Sequence, residues 1–248
     1  MKIKDVLNFL SCTFPPNTAC DFDNVGLLVG NSEDDVKNAL ISLDCTLQTV
    51  ETAIAKKCEL IITHHPVIFS PLKSVTENSL VYSLIKNDIS VICMHTNLDI
   101  AENGVTDCLC KVLGLNNITP FISQDGFLLR KGSIPPVSAD KLAEHIKKTL
   151  GGTVKYVDGG KPIEKILVCS GSGGEFISEV KTAGADALIT SEVKHHQFIM
   201  AGDTAVSVFD GGHFNTEDIV IEPLKETLNN KFPEICFISD HKSKIKSI

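Results

Sequence analysis

The sequence predicts an α/β protein made of two similar lobes, a duplicated unit whose layered sheets are flanked by helices. Three observations predict it. Short apolar runs rich in β-branched residues alternate with helical segments, which implies a largely parallel sheet. The second half of the 248-residue chain repeats the first in outline. Most of the histidines fall where the strands should end, the place where sites form in such sheets.

Val6, Leu7, Phe9 and Leu10 mark one face of a first helix, which Phe14-Pro15-Pro16 ends. Its short apolar stretch carries Asp5 and Asn8 and has no small-residue cleavage site, so it does not read as a signal peptide. Asp23-Asn24 precedes an apolar run bounded by Gly26 and Gly30, and the acidic pair is expected only to make a turn into a strand. Ala39 to Leu43 reads as a strand, and Thr46 to Lys57 as a helix with Leu47, Val50 and Ile54 at helical spacing. Leu60-Ile61-Ile62 suits a buried strand and leads into Thr63-His64-His65-Pro66. Leu80 to Asn87 follows as a helix, then Ile89 to Met94 as a strand that runs out in His95-Thr96-Asn97-Leu98-Asp99. Asn103-Gly104 is a turn before a helix from Val105 to Leu113. The stretch 116–136, with Pro120, Gly126, Gly132 and Pro135-Pro136, changes character and is the expected seam between a lobe over 1–125 and a lobe over 126–248, with no inserted extra domain. Ser138 caps a helix that runs to Leu150 and stops at Gly151-Gly152.

The internal repeat is visible residue by residue. Ile166-Leu167-Val168-Cys169 resembles Leu40 to Leu43, and the approach to Thr190 resembles the approach to Thr63. Ala205 to Phe209 matches the strand before His95. His95-x-x-x-Asp99 has its counterpart in His213-x-x-x-Glu217, imidazole and carboxylate at one spacing.

Hydrophobic residues make up 43% and charged residues 22%, the balance of an ordinary globular protein. A net charge of -8 argues against general binding to nucleic acid or an anionic membrane, whose phosphates want a basic face. No run is long enough to span a bilayer. Nine cysteines without a Cys-x-x-Cys pair point to reduced thiols in a cytoplasm, with Cys45, Cys93 and Cys169 as small core residues.

Of the eight histidines, His64, His65, His95, His195, His196 and His213 lie at predicted strand exits, and only His145 and His241 fall elsewhere. Imidazole with carboxylate suits Zn, Fe, Mn, Co or Ni, and two such groups point to two divalent metal ions in a cleft between the lobes. A carboxylate can bridge ions roughly 3.5–4 Å apart, and water between them becomes a nucleophile near neutral pH. Glu192, His195 and His196 are candidates for acid–base work or substrate contact, against the plainer expectation that they only orient ligands or pair with one another. Ser170-Gly171-Ser172-Gly173-Gly174 could present backbone N–H groups to a phosphate, but Phe176 and the missing P-loop lysine make a tight turn the simpler expectation.

Together, Thr63-His64-His65-Pro66, His95-Thr96-Asn97-Leu98-Asp99, Thr190-Ser191-Glu192 with His195-His196, and Gly212-His213 with Thr216-Glu217 resemble the Nif-three-like dinuclear metal-centre family. Its members are often called GTP cyclohydrolase 1 type 2 homologues. The resemblance runs from Asp23-Asn24-Val25-Gly26-Leu27 to Glu217. It implies metal ligands at His64, His65, Asp99, His213 and Glu217, with Glu217 the bridge. It places His95 beside the metals, as a ligand or as a group that orients one. It also implies a toroidal homohexamer. Relatives often carry Thr-Gly-Glu where this chain has Thr190-Ser191-Glu192, and Trp where it has Phe22. The expected function is a metal-dependent hydrolase acting on a small molecule, either a nucleotide in a cyclohydrolase-like ring opening or a phosphoester. The alternative is a metal-binding carrier or regulatory partner without turnover, and a two-iron oxidoreductase is a third reading.

Overall fold

The computed structural model describes residues 1–245. In chain order, α1 (Ile3–Thr13) and β1 (Gly26–Val29) lead into β2 (Asn38–Ser42), α2 (Leu47–Ala55), β3 (Leu60–Thr63), α3 (Leu80–Lys86), β4 (Ser90–Cys93) and α4 (Thr96–Ile100). Then come α5 (Val105–Val112), β5 (Asn116–Ile122), β6 (Leu128–Val137), α6 (Ala139–Leu150), β7 (Lys155–Val157) and β8 (Ile163–Ser172). The chain continues through α7 (Glu179–Thr182), β9 (Ala187–Ser191), α8 (His195–Asp203), β10 (Ser207–Asp210), α9 (His213–Glu217), α10 (Ile221–Lys231) and β11 (Cys236–Asp240).

Met1–Asp99 and Ile221–Lys242 make one compact unit, and Ile100–Val220 builds the other. This differs from the expected boundary at 125/126. The proline-rich stretch 116–136 is no seam: it forms the antiparallel pair β5–β6, and β6 pairs in turn with β8. Pro120 lies on the edge strand β5, and Pro135-Pro136 fall where the β6–β8 register shifts between Ser133 and Val137, both places where a missing N–H is tolerated. At the far end of the chain, β11 returns to lie parallel to β2 in the first unit. Residues 246–248 of the expected second lobe lie outside the described residues.

The first unit's sheet has the order β1-β4-β3-β2-β11, and the second unit's sheet β5-β6-β8-β9-β10-β7. Within both, three successive strands run parallel (β2-β3-β4 and β8-β9-β10), and the short strand before the trio pairs antiparallel with its last member. The duplication expected from the sequence is therefore present as shared topology. In the second unit, Ile166 and Val168 face a core with Leu109, Leu142, Ile146 and Phe209, while Leu167 and Cys169 face another with Phe176, Val180 and Val208. Alternate residues of one strand thus bury into opposite layers, as a sheet covered on both faces requires.

Local signals hold where backbone chemistry decides. Phe14 follows the last residue of α1, before two prolines. Thr46 Oγ1 accepts the Thr49 N–H at the start of α2 (3.1 Å), and Ser138 Oγ accepts the Lys141 N–H at the start of α6 (3.4 Å). The face of α2 is different from the one expected. Thr49, Val50 and Ala53 are buried, whereas Leu47 and Ile54 stand exposed. Thr49 and Ala53, four residues apart, share the inward face with Val50, so the buried stripe runs through smaller residues than the apolar spacing suggests.

Candidate metal centre

In the first unit the site is built by register. Ser42 lies opposite Thr63, and Thr63 opposite Cys93, so β2, β3 and β4 end in line. Whatever follows each strand arrives on the same carboxyl edge. After β2 comes Asp44, after β3 the pair His64-His65, and after β4 His95. The ring centroids of the three imidazoles are 4.9, 5.2 and 5.6 Å apart. One ring nitrogen from each lies within 4.8 Å of the others.

Each ring is oriented by its Nδ1. His64 Nδ1 is 3.0 Å from the Met94 carbonyl oxygen, His65 Nδ1 is 2.8 Å from Asp44 Oδ1, and His95 Nδ1 is 2.8 Å from Asp23 Oδ1. These partners only accept, so in a neutral ring Nδ1 carries the proton and Nε2 keeps its lone pair. A metal-binding histidine is held in this way. Asp99, in α4, brings Oδ1 to 3.7 Å from His64 Nε2. That is long for a hydrogen bond. It is close to the separation of two donors that each lie about 2.1 Å from one tetrahedral ion, roughly 3.4 Å.

Asp23 carries more than the turn expected of it. Besides His95 it accepts the Thr96 N–H (3.0 Å) and hydroxyl (2.5 Å), which fixes the start of α4. Burial pushes its carboxyl up, but the hydrogen bonds from His95 and Thr96 outweigh this and hold it well below the usual carboxylate range. Asn24 Nδ2 donates to the Ile68 carbonyl at 2.6 Å, tying the turn to the loop after β3.

The second unit repeats the plan with carboxylates in place of one histidine pair. Asp210 lies opposite Thr190, so the chain past β9 and the chain past β10 emerge side by side. Asp210 then joins them: Oδ2 accepts the Val193 N–H at 3.1 Å and Oδ1 the Gly212 N–H at 3.0 Å. His213 is faced by carboxylates at both nitrogens, Glu192 Oε1 at 3.2 Å from Nδ1 and Glu217 Oε2 at 3.0 Å from Nε2. A neutral imidazole has one proton to place between two acceptors. Glu192 reaches its position with φ +53, a left-handed conformation that costs a non-glycine residue about 1–2 kcal/mol.

The glycine-rich turn has a steric explanation. Gly171, at φ +62, lies so close to Glu217 that a Cβ would run into Oε1. A Cβ on Gly173 would meet Thr190 and Cys169, and one on Gly174 would meet Gln197. Gly171 also accepts hydrogen bonds at its carbonyl from Thr190 Oγ1 (3.0 Å) and Ser191 Oγ (2.5 Å).

Within the first unit, His64, His65, His95 and Asp99 are therefore brought together, and within the second, Glu192, His213 and Glu217. His195 and His196 occupy the first turn of α8, exposed and apart from the His213 group. Of the two histidines expected elsewhere, His145 contacts the Leu113 carbonyl and His241 pairs with Glu222. Asp44 and Asp210 went unread in the sequence. Asp44 carried a usable signal, since a carboxylate just past a parallel strand falls on the edge where its neighbours' histidines emerge.

Two sheets, each with a trio of parallel strands whose carboxyl ends gather imidazoles and carboxylates, define an α/β protein whose clustered His, Asp and Glu residues could hold a metal ion. The chain belongs to the Duf34/NIF3 (NGG1p interacting factor 3) family, whose sequence model matches residues 1–244. It is 34% identical over 245 residues to the GTP cyclohydrolase 1 type 2 homolog of Clostridium perfringens, covering 93% of this chain and 94% of that protein. Its fold matches the crystal structure of the Staphylococcus aureus hypothetical protein SA1388 with a TM-score of 0.93 at 29% identity, over 100% of this chain and 99% of the other. Reduced HcgD from Methanocaldococcus jannaschii is similar with a TM-score of 0.83 at 30% identity, over 96% and 97%.

Proposed function

We propose that the chain is a dinuclear metal-dependent hydrolase that acts on a small molecule, a purine nucleotide being the first candidate. His64, His65, Asp99, His213 and Glu217 would hold two divalent ions, Zn, Fe, Mn, Co or Ni, with Glu217 as the bridge. Bound there, the ions would supply Lewis acidity and lower the pKa of water to near neutrality. The chain's own residues do the rest. Met94 and Asp44 aim the first two imidazoles, Asp23 aims His95, and Glu192 lies against His213. His95, paired with the Asp23 carboxylate, would move a proton or serve as a further ligand. His195 and His196, exposed on α8, remain candidates for substrate contact.

The observation that carries this reading is the gathering of three imidazoles, His64, His65 and His95, each with Nδ1 against an acceptor oxygen and with one nitrogen of each within 4.8 Å of the others. The relatives' name, GTP cyclohydrolase 1 type 2 homolog, supports a purine nucleotide. The same reading takes the chain as cytoplasmic, supported by nine cysteines outside any disulfide. No helix among the described residues is long and apolar enough to cross a membrane. It also takes the assembly as a homohexamer, for which light scattering should give six times the mass of one chain.

Elemental analysis of protein purified without added metal, followed by turnover of nucleotides and phosphoesters with and without chelator, tests the proposal. Two ions per chain and chelator-sensitive turnover are expected, and Glu217→Gln should lower occupancy well below two. Metal without turnover of any of these substrates would favour the carrier. Failure to retain any divalent ion would sink both.

A further inference from the structure

Beside the three histidines, the first unit keeps two phenylalanines in water. Phe22 is 66% exposed and Phe69 53%, although burying a phenyl ring is among the larger gains open to a chain. Polar links place them. Asp23, next to Phe22, is bonded to His95 and Thr96. Asn24 donates to the carbonyl of Ile68, next to Phe69. The two phenyl centroids are 6.3 Å apart with the planes at 58°. Phe69 also stands edge-on to the His95 imidazole, at 6.3 Å and 85°.

We propose that Phe22 and Phe69 form a stacking platform for a planar heteroaromatic ring, such as a purine, next to the imidazole face of the site. A ring sandwiched between them would need about 7 Å, twice the stacking distance. The tilted pair is too close for that. It instead offers one face to stack on and one edge to abut, the two arrangements that aromatic rings prefer. Stacking on a π-face tolerates many bases, so the platform selects a class of ring and leaves the exact base to other groups. A flat ring held here sits against the residue that adjoins His95, so ring binding and chemistry share one edge of the sheet. The identity of this ring as substrate rests on the hydrolase reading above, whereas the stacking itself requires only binding.

The chain contains no tryptophan, so Phe22→Trp supplies a unique fluorophore. Guanosine should quench it saturably, and ribose 5-phosphate should not, in both metal-loaded and chelator-treated protein. In that background Phe69→Ala should weaken guanosine binding about tenfold or more, the loss of one stacked base. Phe69→Leu, which keeps apolar bulk and loses the π-face, should weaken it nearly as much. Equal affinity for guanosine and ribose 5-phosphate would overturn the proposal, and so would unchanged guanosine binding in both Phe69 variants. If the Phe22→Ala/Phe69→Ala double variant forms a smaller assembly than the wild type by light scattering, the rings belong to a contact between copies and the platform is refuted. Guanosine binding that depends on Phe69 without turnover would support the platform and defeat the hydrolase. Nucleotide turnover indifferent to Phe69→Ala would defeat the platform alone.

Discussion

Asp23→Asn removes one charge and one acceptor from the carboxylate that holds both His95 and the start of α4. The aspartate accepts three hydrogen bonds: His95 Nδ1 at 2.8 Å on one oxygen, and the Thr96 N–H at 3.0 Å and hydroxyl at 2.5 Å on the other. An amide has one acceptor oxygen, so its NH2 must point either at an imidazole N–H or at a backbone N–H. Hydrogen bonds to a charged group contribute about 1.5–3 kcal/mol each. Losing one of these bonds should cost about 1.5–3 kcal/mol of stability. If His95 lies against bound metal, releasing its Nδ1 should also weaken metal affinity about 10- to 100-fold. Urea denaturation in chelator reads the first effect, and competition with a chromophoric chelator reads the second. The folded carboxyl lies below its ordinary value of 3.8, so its stabilisation is present above that value and is lost as pH falls. The gap between wild type and variant should therefore narrow on acidification below about pH 4. Equal urea midpoints together with equal metal affinity would refute the role given to Asp23.

Three further outcomes follow from the second unit and the thiols. Asp107→Ala should destabilise by about 3–5 kcal/mol in urea, because it strands Arg130, a buried cation that pairs with Asp107 and also donates to the Ile100 carbonyl at 2.9 Å. Gly171→Ala should cost about 1–2 kcal/mol for its left-handed backbone. It should also lower metal occupancy by displacing Glu217, while the far-ultraviolet circular dichroism spectrum stays that of the wild type. A colorimetric thiol reagent should react quickly with exposed Cys12 and Cys236. It should react slowly with Cys45 and Cys110, both pushed up to about 12 by burial, and with Cys58, pushed up to about 11, until the protein is unfolded.

What could be read directly from the chain was local. The strands ending at Thr63 and Cys93 are apolar runs with little alternative, and α6 begins at Ser138 and ends at Gly151 because a cap and a left-handed glycine act over a few residues. The His-x-x-x-acid spacing was legible because both copies lie in or at the start of one short helix, where residues four apart share a face. The duplication was legible for the same reason, since like segments give like strands.

Tertiary structure alone decided the pairings across long separations. His95 lies 72 residues from Asp23 and His65 lies 21 from Asp44, and no local preference distinguishes a carboxylate that turns a chain from one that aims a ligand. Strand register made the choice by ending β2, β3 and β4 in line. Packing likewise turned Thr49 and Ala53 of α2 inward and left Leu47 and Ile54 in water, against an apolar spacing that favoured the reverse. It also made a hairpin of the proline-rich stretch and carried β11 back to β2. Side-chain type and spacing specify which groups are available, while the sheet's hydrogen-bond ladders specify which of them meet.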